Sequence, residues 1–404
     1  MPPTPDPYFN QLQSFNQHKN IILINASSIP MKVGMIGRSI PPFDRGGIQT
    51  HVLELSKALA EHGIEVHLFI VGRGSKKPGA ESSSQNLFVH PIPCMPLPKL
   101  TIGEYLSYSL INSKYISKYN LDLVHGHSMY SFGYAISKKL PFVLTMHGTQ
   151  LNEFKQSILY GASPNHVITD FSAMLMERFS GKKADKIIVV SNENKRDVME
   201  QYKVPESKIA TIPNGVEVNR FGPSNCRSKT VIFVGRLHER KGVDKLLRSF
   251  SKVIIEEPEA KLKIVGSGED EARLKKLATK LELDKKNVNF MGFVPEADLP
   301  GIYASASIFV LPSYYEGFGI VLIEAMSAGL PLVSVRTGGA TEVIDDGKNG
   351  YLVDYENMHK AVIELLKDQK LRVRMGAESR KKVEKDYDWS KIAEKVIKVY
   401  EEVL

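Results

Sequence analysis

The chain has 404 residues, of which 42% are hydrophobic and 24% charged, with a net charge of +8 at pH 7. That length and apolar content suit two soluble domains with sizeable cores, and no apolar run approaches the length of a membrane span. The two cysteines, Cys94 and Cys226, lie far apart; they form no metal-ligand cluster and fit a reducing compartment, although two thiols can also pair.

Residues 1–30 hold Pro2, Pro3, Pro5 and Pro7 and many Asn and Gln. They read as an extension outside the fold, with a short functional anchor as the alternative, and Met31 opens the first strand. Ile21–Ile24 is too short for the apolar core of a signal peptide. Lys32–Ile36 reads as a buried strand. Gly46 and Gly47 then open a helix whose inner face carries Val52, Leu55, Ala58 and Leu59. A glycine turn at a helix start lets a diphosphate approach the backbone closely; a plain strand–helix loop is the other reading. Val66–Val71 is a second strand, and residues 72–86 read as a polar loop.

Asp122–His127 and Phe142–Thr149 read as strands ending in His127 and in His147-Gly148. Ligands in open α/β sheets collect at the carboxyl ends of strands, so both histidines are site candidates, against a structural role. Residues 150–183 are amphipathic, read either as a core-facing helix or as a segment that shapes an acceptor site or touches a membrane. Lys186–Ser191 is a further strand with a helix to Tyr202, and the first domain ends near Arg220–Pro223.

The second domain opens with the strand Thr230–Gly235, which delivers Arg236, Arg240 and Lys241 to the loop before a helix at Val243. Arg236 and Lys241 are placed to neutralise a doubly charged diphosphate. Lys261–Val265 is a strand ending in Gly266-Ser-Gly268; the third glycine of a dinucleotide fingerprint is missing, which disfavours a nicotinamide enzyme. Val288–Val294 is the next strand and turn. The strand Ile308–Leu311 is stopped by Pro312. Gly317 and Gly319 then bracket Phe318 in a tight turn, and a helix runs from Ile320 to Gly329. Strand, glycine turn and helix N-terminus together suit a phosphate. Glu316 lies in the turn and Glu324 one turn into the helix, where an unpaired carboxylate among apolar residues would be costly. Pro331–Val335 is a strand leading to Gly338-Gly339 and Glu342. The triplet Asp386-Tyr-Asp388 precedes the last helix and reads as an N-cap rather than a metal–nucleotide site.

Glu316-x7-Glu324 with Gly-Phe-Gly inside it resembles the signature of the retaining glycosyltransferases of family four, and the other motifs occur in that family's order from Met31 to the C-terminus. The resemblance implies the GT-B architecture: two Rossmann-like α/β domains facing across a cleft, with a final helix crossing back to the first. The implied divisions are an extension over 1–30, an acceptor-binding domain over 31–222, a nucleotide-sugar domain over 223–388 and a returning helix over 389–404. The implied roles follow the motifs. His147, Arg236, Lys241 and Glu316 are catalytic. Gly46, Gly47, Val294, Gly317, Phe318, Gly319, Ile320 and Glu324 bind the donor, and His127 lies toward the acceptor.

The implied activity is retaining hexosyl transfer from a nucleotide-diphosphate sugar (UDP-, GDP- or ADP-linked) to a glycan, lipid-linked or small-molecule acceptor. No metal, cofactor or nucleic acid is expected. A nucleotide-sugar epimerase and a non-catalytic sugar-nucleotide-binding protein of the same fold are the alternatives. The expected location is cytoplasmic. The basic balance also permits peripheral contact with a membrane's inner face, with Lys138, Lys139, Lys182 and Lys183 as its cationic candidates.

Overall fold

The computed structural model describes residues 30–40, 46–72, 81–93, 101–159, 163–224, 228–283 and 286–404. The extension before residue 30, both cysteines and residues 73–80 of the expected polar loop lie outside the described residues.

Two sheets organise the chain. The first holds β1 (Lys32–Ile36), β2 (Glu65–Gly72), β3 (Glu81–Ser84), β4 (Leu87–Pro93), β5 (Leu123–His127), β6 (Phe142–Met146), β7 (Lys186–Val189) and β8 (Ile209–Thr211), in the order β3-β4-β2-β1-β5-β6-β7-β8. Its helices are α1 (Gly47–Glu61), α2 (Thr101–Ile116), α3 (Phe132–Ser137), α4 (Gln150–Leu159), α5 (Pro164–Lys183) and α6 (Asn192–Tyr202). The second sheet holds β9 (Thr230–Val234), β10 (Lys261–Val265), β11 (Val288–Gly292), β12 (Ile308–Leu311), β13 (Leu332–Val335) and β14 (Gly350–Val353), in the order β11-β10-β9-β12-β13-β14, all parallel. With it run α7 (Val243–Glu256), α8 (Glu271–Lys280), α9 (Leu299–Ala304), α10 (Ile320–Ser327), α11 (Gly338–Val343), α12 (Met358–Lys367), α13 (Gln369–Asp386) and α14 (Trp389–Glu401).

By their contacts, the described residues up to Thr145, with Thr149–Ile187 and Val396–Leu404, form one compact unit; Met146–Gly148 and Ile188–Lys395 form the other. The end of α14 therefore belongs with the first unit.

Helices on both faces of a parallel sheet demand strands that are apolar throughout rather than alternating. Val231–Val234, Ile308–Leu311 and Leu332–Val335 meet that demand, every residue being buried. The covering helices carry the complementary stripe: α7 buries Val243, Leu246, Leu247, Phe250 and Val253, the helical repeat of an amphipathic face.

One expectation fails. Within the stretch read as a polar loop, Glu81–Ser84 forms β3, antiparallel to β4 at the sheet edge. An edge strand needs only backbone pairing on one side, and a polar sequence protects its open side from pairing elsewhere. The Asp386–Asp388 triplet behaves as expected: the Ser390 N–H donates to Asp388 Oδ1 at 2.9 Å where α14 begins.

The core of the first unit contains a polar chain. His125 on β5 is fully buried, with Nδ1 2.6 Å from Tyr400 Oη on α14 and Nε2 2.7 Å from Thr145 Oγ1 on β6. Burial, with a smaller contribution from His51, pushes its pKa from 6.5 down to about 3. A histidine held neutral in the fold stabilises it fully above pH 6.5, and that stabilisation is lost as pH falls toward 3, because the unfolded chain takes up the proton first. His125→Gln is therefore expected to lose less stability than the wild type between pH 7 and pH 5 in urea titrations. The comparison is of slopes, so a lower overall stability of the variant does not affect it.

Candidate active site

In the second sheet the chain winds from β9 to β10 and β11 on one side and through β12, β13 and β14 on the other. Crossovers that diverge in this way leave a crevice at the strand carboxyl ends, between the loops after β9 and β12. Those loops carry Arg236 to Gly242 and Pro312 to Gly319, the residues singled out by the sequence.

The two loops lie backbone against backbone. The Tyr314 N–H donates to the Arg240 carbonyl at 2.8 Å. Gly242 has φ 65°, and a Cβ there would stand 2.1 Å from the Pro312 carbonyl oxygen. Only glycine fits both the left-handed conformation and the close approach.

This contact brings Lys241 to Glu316. Their Nζ–Oε2 distance is 2.5 Å, and each side chain is only 15% exposed. The expected phosphate-binding cation and a carboxylate expected to be catalytic thus form one shielded ion pair. Arg236 is placed differently. Its side chain is 73% exposed and its bond to Glu269 is 3.2 Å long; a surface pair of that kind contributes at most about 1 kcal/mol and is readily exchanged for a dianion.

Gly319 takes φ 81° at the N-cap of α10, with no capping side chain and no acid in the first turn. The first N–H groups of α10 and the positive end of its dipole are left to face the crevice. Phe318 is 3% exposed, with its ring against Tyr387 and its backbone against Gly339. The N-terminus of α11 is used otherwise. Glu193 accepts a hydrogen bond from the Gly338 backbone, and Glu342 Oε1 accepts one at 2.5 Å from the Asn192 N–H that opens α6. Burial raises both carboxyl pKa values.

Glu324 keeps part of its side chain accessible, yet desolvation, opposed by the Tyr303 hydrogen bond and the Arg220 charge, raises its pKa. The buried Tyr303 Oη donates to Glu324 Oε2 at 2.7 Å, leaving Oε1 for another partner. Arg220 is fixed in turn by Glu296, with Nη1–Oε1 2.7 Å. Tyr303, Arg220 and Glu193 are the site-region residues that sequence reasoning missed. Val294 follows the edge strand β11 and is partly buried, beside the exposed Phe293.

In the first sheet the winding reverses between β1 and β5. Gly46 and Gly47 stand at the start of α1 on the loop after β1, and His127 ends β5. His127 is buried, stacked on His125 with ring centres 4.7 Å apart and edge-on to His51 at 5.5 Å. His147 directly follows β6. Its carbonyl oxygen would stand 2.7 Å from a Cβ on Gly317, so it lies against the glycine turn.

Two parallel-sheet α/β units of this kind are those of the GT-B glycosyltransferases. Residues 217–382 match the family model described as glycosyl transferases group 1, and residues 45–220 match that of glycosyltransferase family 4. An uncharacterized glycosyltransferase of Methanocaldococcus jannaschii is 30% identical over 92% of this chain and 98% of its own. The D-inositol 3-phosphate glycosyltransferase of Corynebacterium jeikeium is 29% identical over 92% and 97%. The crystal structure of Anabaena HepE in complex with UDP and glucose superposes with a TM-score of 0.71 at 18% identity, covering 92% of this chain and all of that one. The chain belongs to the family-four glycosyltransferases.

The loop contact gives a direct test. Gly242→Ala is expected to cost more than about 2 kcal/mol, combining a left-handed alanine with a backbone clash. Gly347→Ala, at φ 77° with nothing within 4 Å of its Cβ, should cost only about 1 kcal/mol. Urea midpoints of the two variants measure the difference.

Proposed function

We propose that this glycosyltransferase moves a hexosyl unit from a nucleotide-diphosphate sugar to an acceptor hydroxyl, with retention of anomeric configuration and without a metal ion. The observation that carries the proposal is the Lys241–Glu316 pair, held beside an uncapped helix N-terminus. An incoming diphosphate replaces Glu316 as the partner of Lys241 and draws in Arg236 and the backbone of Gly317, Phe318, Gly319 and Ile320. The released Glu316 carboxylate then accepts hydrogen bonds from the sugar hydroxyls. Glu324, with one oxygen held by Tyr303, presents the other to the ribose, and the backbone at Val294 reads the base. Gly46, Gly47 and His147 serve the transferring sugar, and His127 lies toward the acceptor. In this assignment residues 31–222 carry the acceptor and residues 223–388 the donor.

The bond that breaks joins the anomeric carbon to the leaving phosphate oxygen. The bond that forms joins that carbon to the acceptor oxygen, and the acceptor's proton passes to the departing phosphate. Charge accumulates on the leaving group, so the cations and the α10 N-terminus stabilise the transition state more than the ground state. With that positive charge supplied by the protein, no metal is required. The complex of HepE with UDP and glucose supports a sugar-nucleotide donor, and the inositol phosphate glycosyltransferase named above supports a small polyol phosphate among the acceptor classes. A cytoplasmic site of action is part of the proposal.

Glu316→Gln keeps the shape of the side chain and removes its charge. Turnover is expected to fall by about two decades, equivalent to about 3 kcal/mol of transition-state stabilisation. NMR of the product should show the donor's anomeric configuration. Unchanged turnover would remove Glu316 from the mechanism. An inverted product would refute retention, and an isomerised donor without release of nucleoside diphosphate would identify an epimerase.

A further inference from the structure

The helix pair α4–α5 of the first unit exposes an apolar surface with no role in the donor site. On α5, Ile168, Phe171 and Leu175 are 54%, 44% and 47% exposed. Arg178 and Lys182 continue the same line and are exposed as well. At 100° per residue these five positions fall within an arc of about 80°, and they extend about 21 Å along the helix axis. The opposite face is the buried one, carrying Ala173, Met176, Glu177 and Ser180. The stripe widens onto α4. Phe171 lies against Phe154, ring centres 5.5 Å apart, and one turn beyond Phe154 stands Ile158, 56% exposed, followed by Leu159 at 71%.

Single exposed leucines need no explanation, whereas a contiguous apolar surface marks an interaction site. The charges around it narrow the partner. The exposed ionic residues bordering the stripe are Lys155, Arg178, Lys182 and Lys183. None of the acids of the pair is exposed: Glu177 is buried, with Oε2 accepting from the Gln150 N–H, Glu153 is half-buried, and Asp170 is 17% exposed and 3.6 Å from His166. Lysines are depleted in protein interfaces. A symmetric pairing with a second copy would double the number of these cations within one interface. An apolar stripe ending in cations is the pattern of a helix lying in a bilayer surface, with its apolar residues among the acyl chains and its basic residues at anionic headgroups.

We infer that the α4–α5 surface is a docking site for an anionic lipid bilayer, with Ile158, Ile168, Phe171 and Leu175 entering the interface and Arg178 and Lys182 meeting the headgroups. Among the described residues no helix is long and apolar enough to cross a membrane, so the contact is a surface one. This inference does not rest on the proposed donor chemistry.

The test is co-sedimentation of the full chain with vesicles of phosphatidylcholine alone or mixed equally with phosphatidylglycerol. Binding is expected only with the anionic lipid and should weaken as salt is raised, because screening shortens the reach of the headgroup charge. Arg178→Gln with Lys182→Gln should weaken binding about 25-fold, from about fivefold for each basic residue at the surface. Leu175→Asp should weaken it by more than about tenfold through lost apolar burial. These side chains are exposed, so the circular dichroism spectra and Tm of the variants should match the wild type. The inference is overturned if anionic vesicles bind no protein, if neutral vesicles bind it equally, or if the substitutions leave binding unchanged. It is equally overturned if light scattering shows that Leu175→Asp splits a dimer while vesicle binding persists.

Discussion

The shielded ion pair between Lys241 and Glu316 is the interaction on which the candidate site depends. It exists because the loop after β9 and the loop after β12 come from neighbouring strands whose crossovers diverge. It is as close as it is because Gly242 allows backbone to meet backbone at Pro312. A cation and a carboxylate that satisfy each other in the free protein keep both groups in place without leaving either charge unpaired in a shielded setting. Under the proposed function the same pair defines how a ligand enters: phosphate competes for the lysine, and the glutamate is released toward hydroxyl groups. The paired acids Glu193 and Glu342 illustrate the contrast, since they satisfy the starts of α11 and α6 while the start of α10 has no capping side chain.

Much of this was legible in the sequence. Parallel strands buried on both faces appear as unbroken apolar runs, so Ile308–Leu311 and Leu332–Val335 could be placed directly. Pro312, Gly317 and Gly319 mark the turn through local backbone chemistry, and the seven-residue gap between Glu316 and Glu324 sets both acids near the helix start. The cost of an unpaired carboxylate in an apolar helix already required a partner for Glu324. What the sequence did not name was that partner. Tyr303 is separated from Glu324 by a strand and a turn, and its hydroxyl is brought in by the packing of α9 rather than by any local pattern.

The remaining omissions have the same physical origin. The pairing of Lys241 with Glu316 spans 75 positions and that of Asn192 with Glu342 spans 150; spacing rules carry no information over such distances. β3 was hidden because an edge strand can be polar, which removes the alternation by which strands are recognised. His125 was overlooked in favour of His127, the residue at the strand's end. Yet His125 is the one bonded to Tyr400 from the end of the chain, and it ties that end into the first unit's core. The exposed stripe of α5 was inseparable from a core-facing helix in sequence terms, since periodicity reveals an apolar face but not what covers it.

The central claim is that a nucleoside diphosphate seats between the loops after β9 and β12 without a metal. Thermal-shift measurements with UDP, GDP, ADP and their sugar conjugates, in the presence of a chelator, test it most directly. The account predicts selective stabilisation by one nucleotide, by about 3 kcal/mol at a hundred times its dissociation constant, and loss of that shift in Lys241→Met. No shift with any of these ligands, or a shift that Lys241→Met leaves intact, would contradict it.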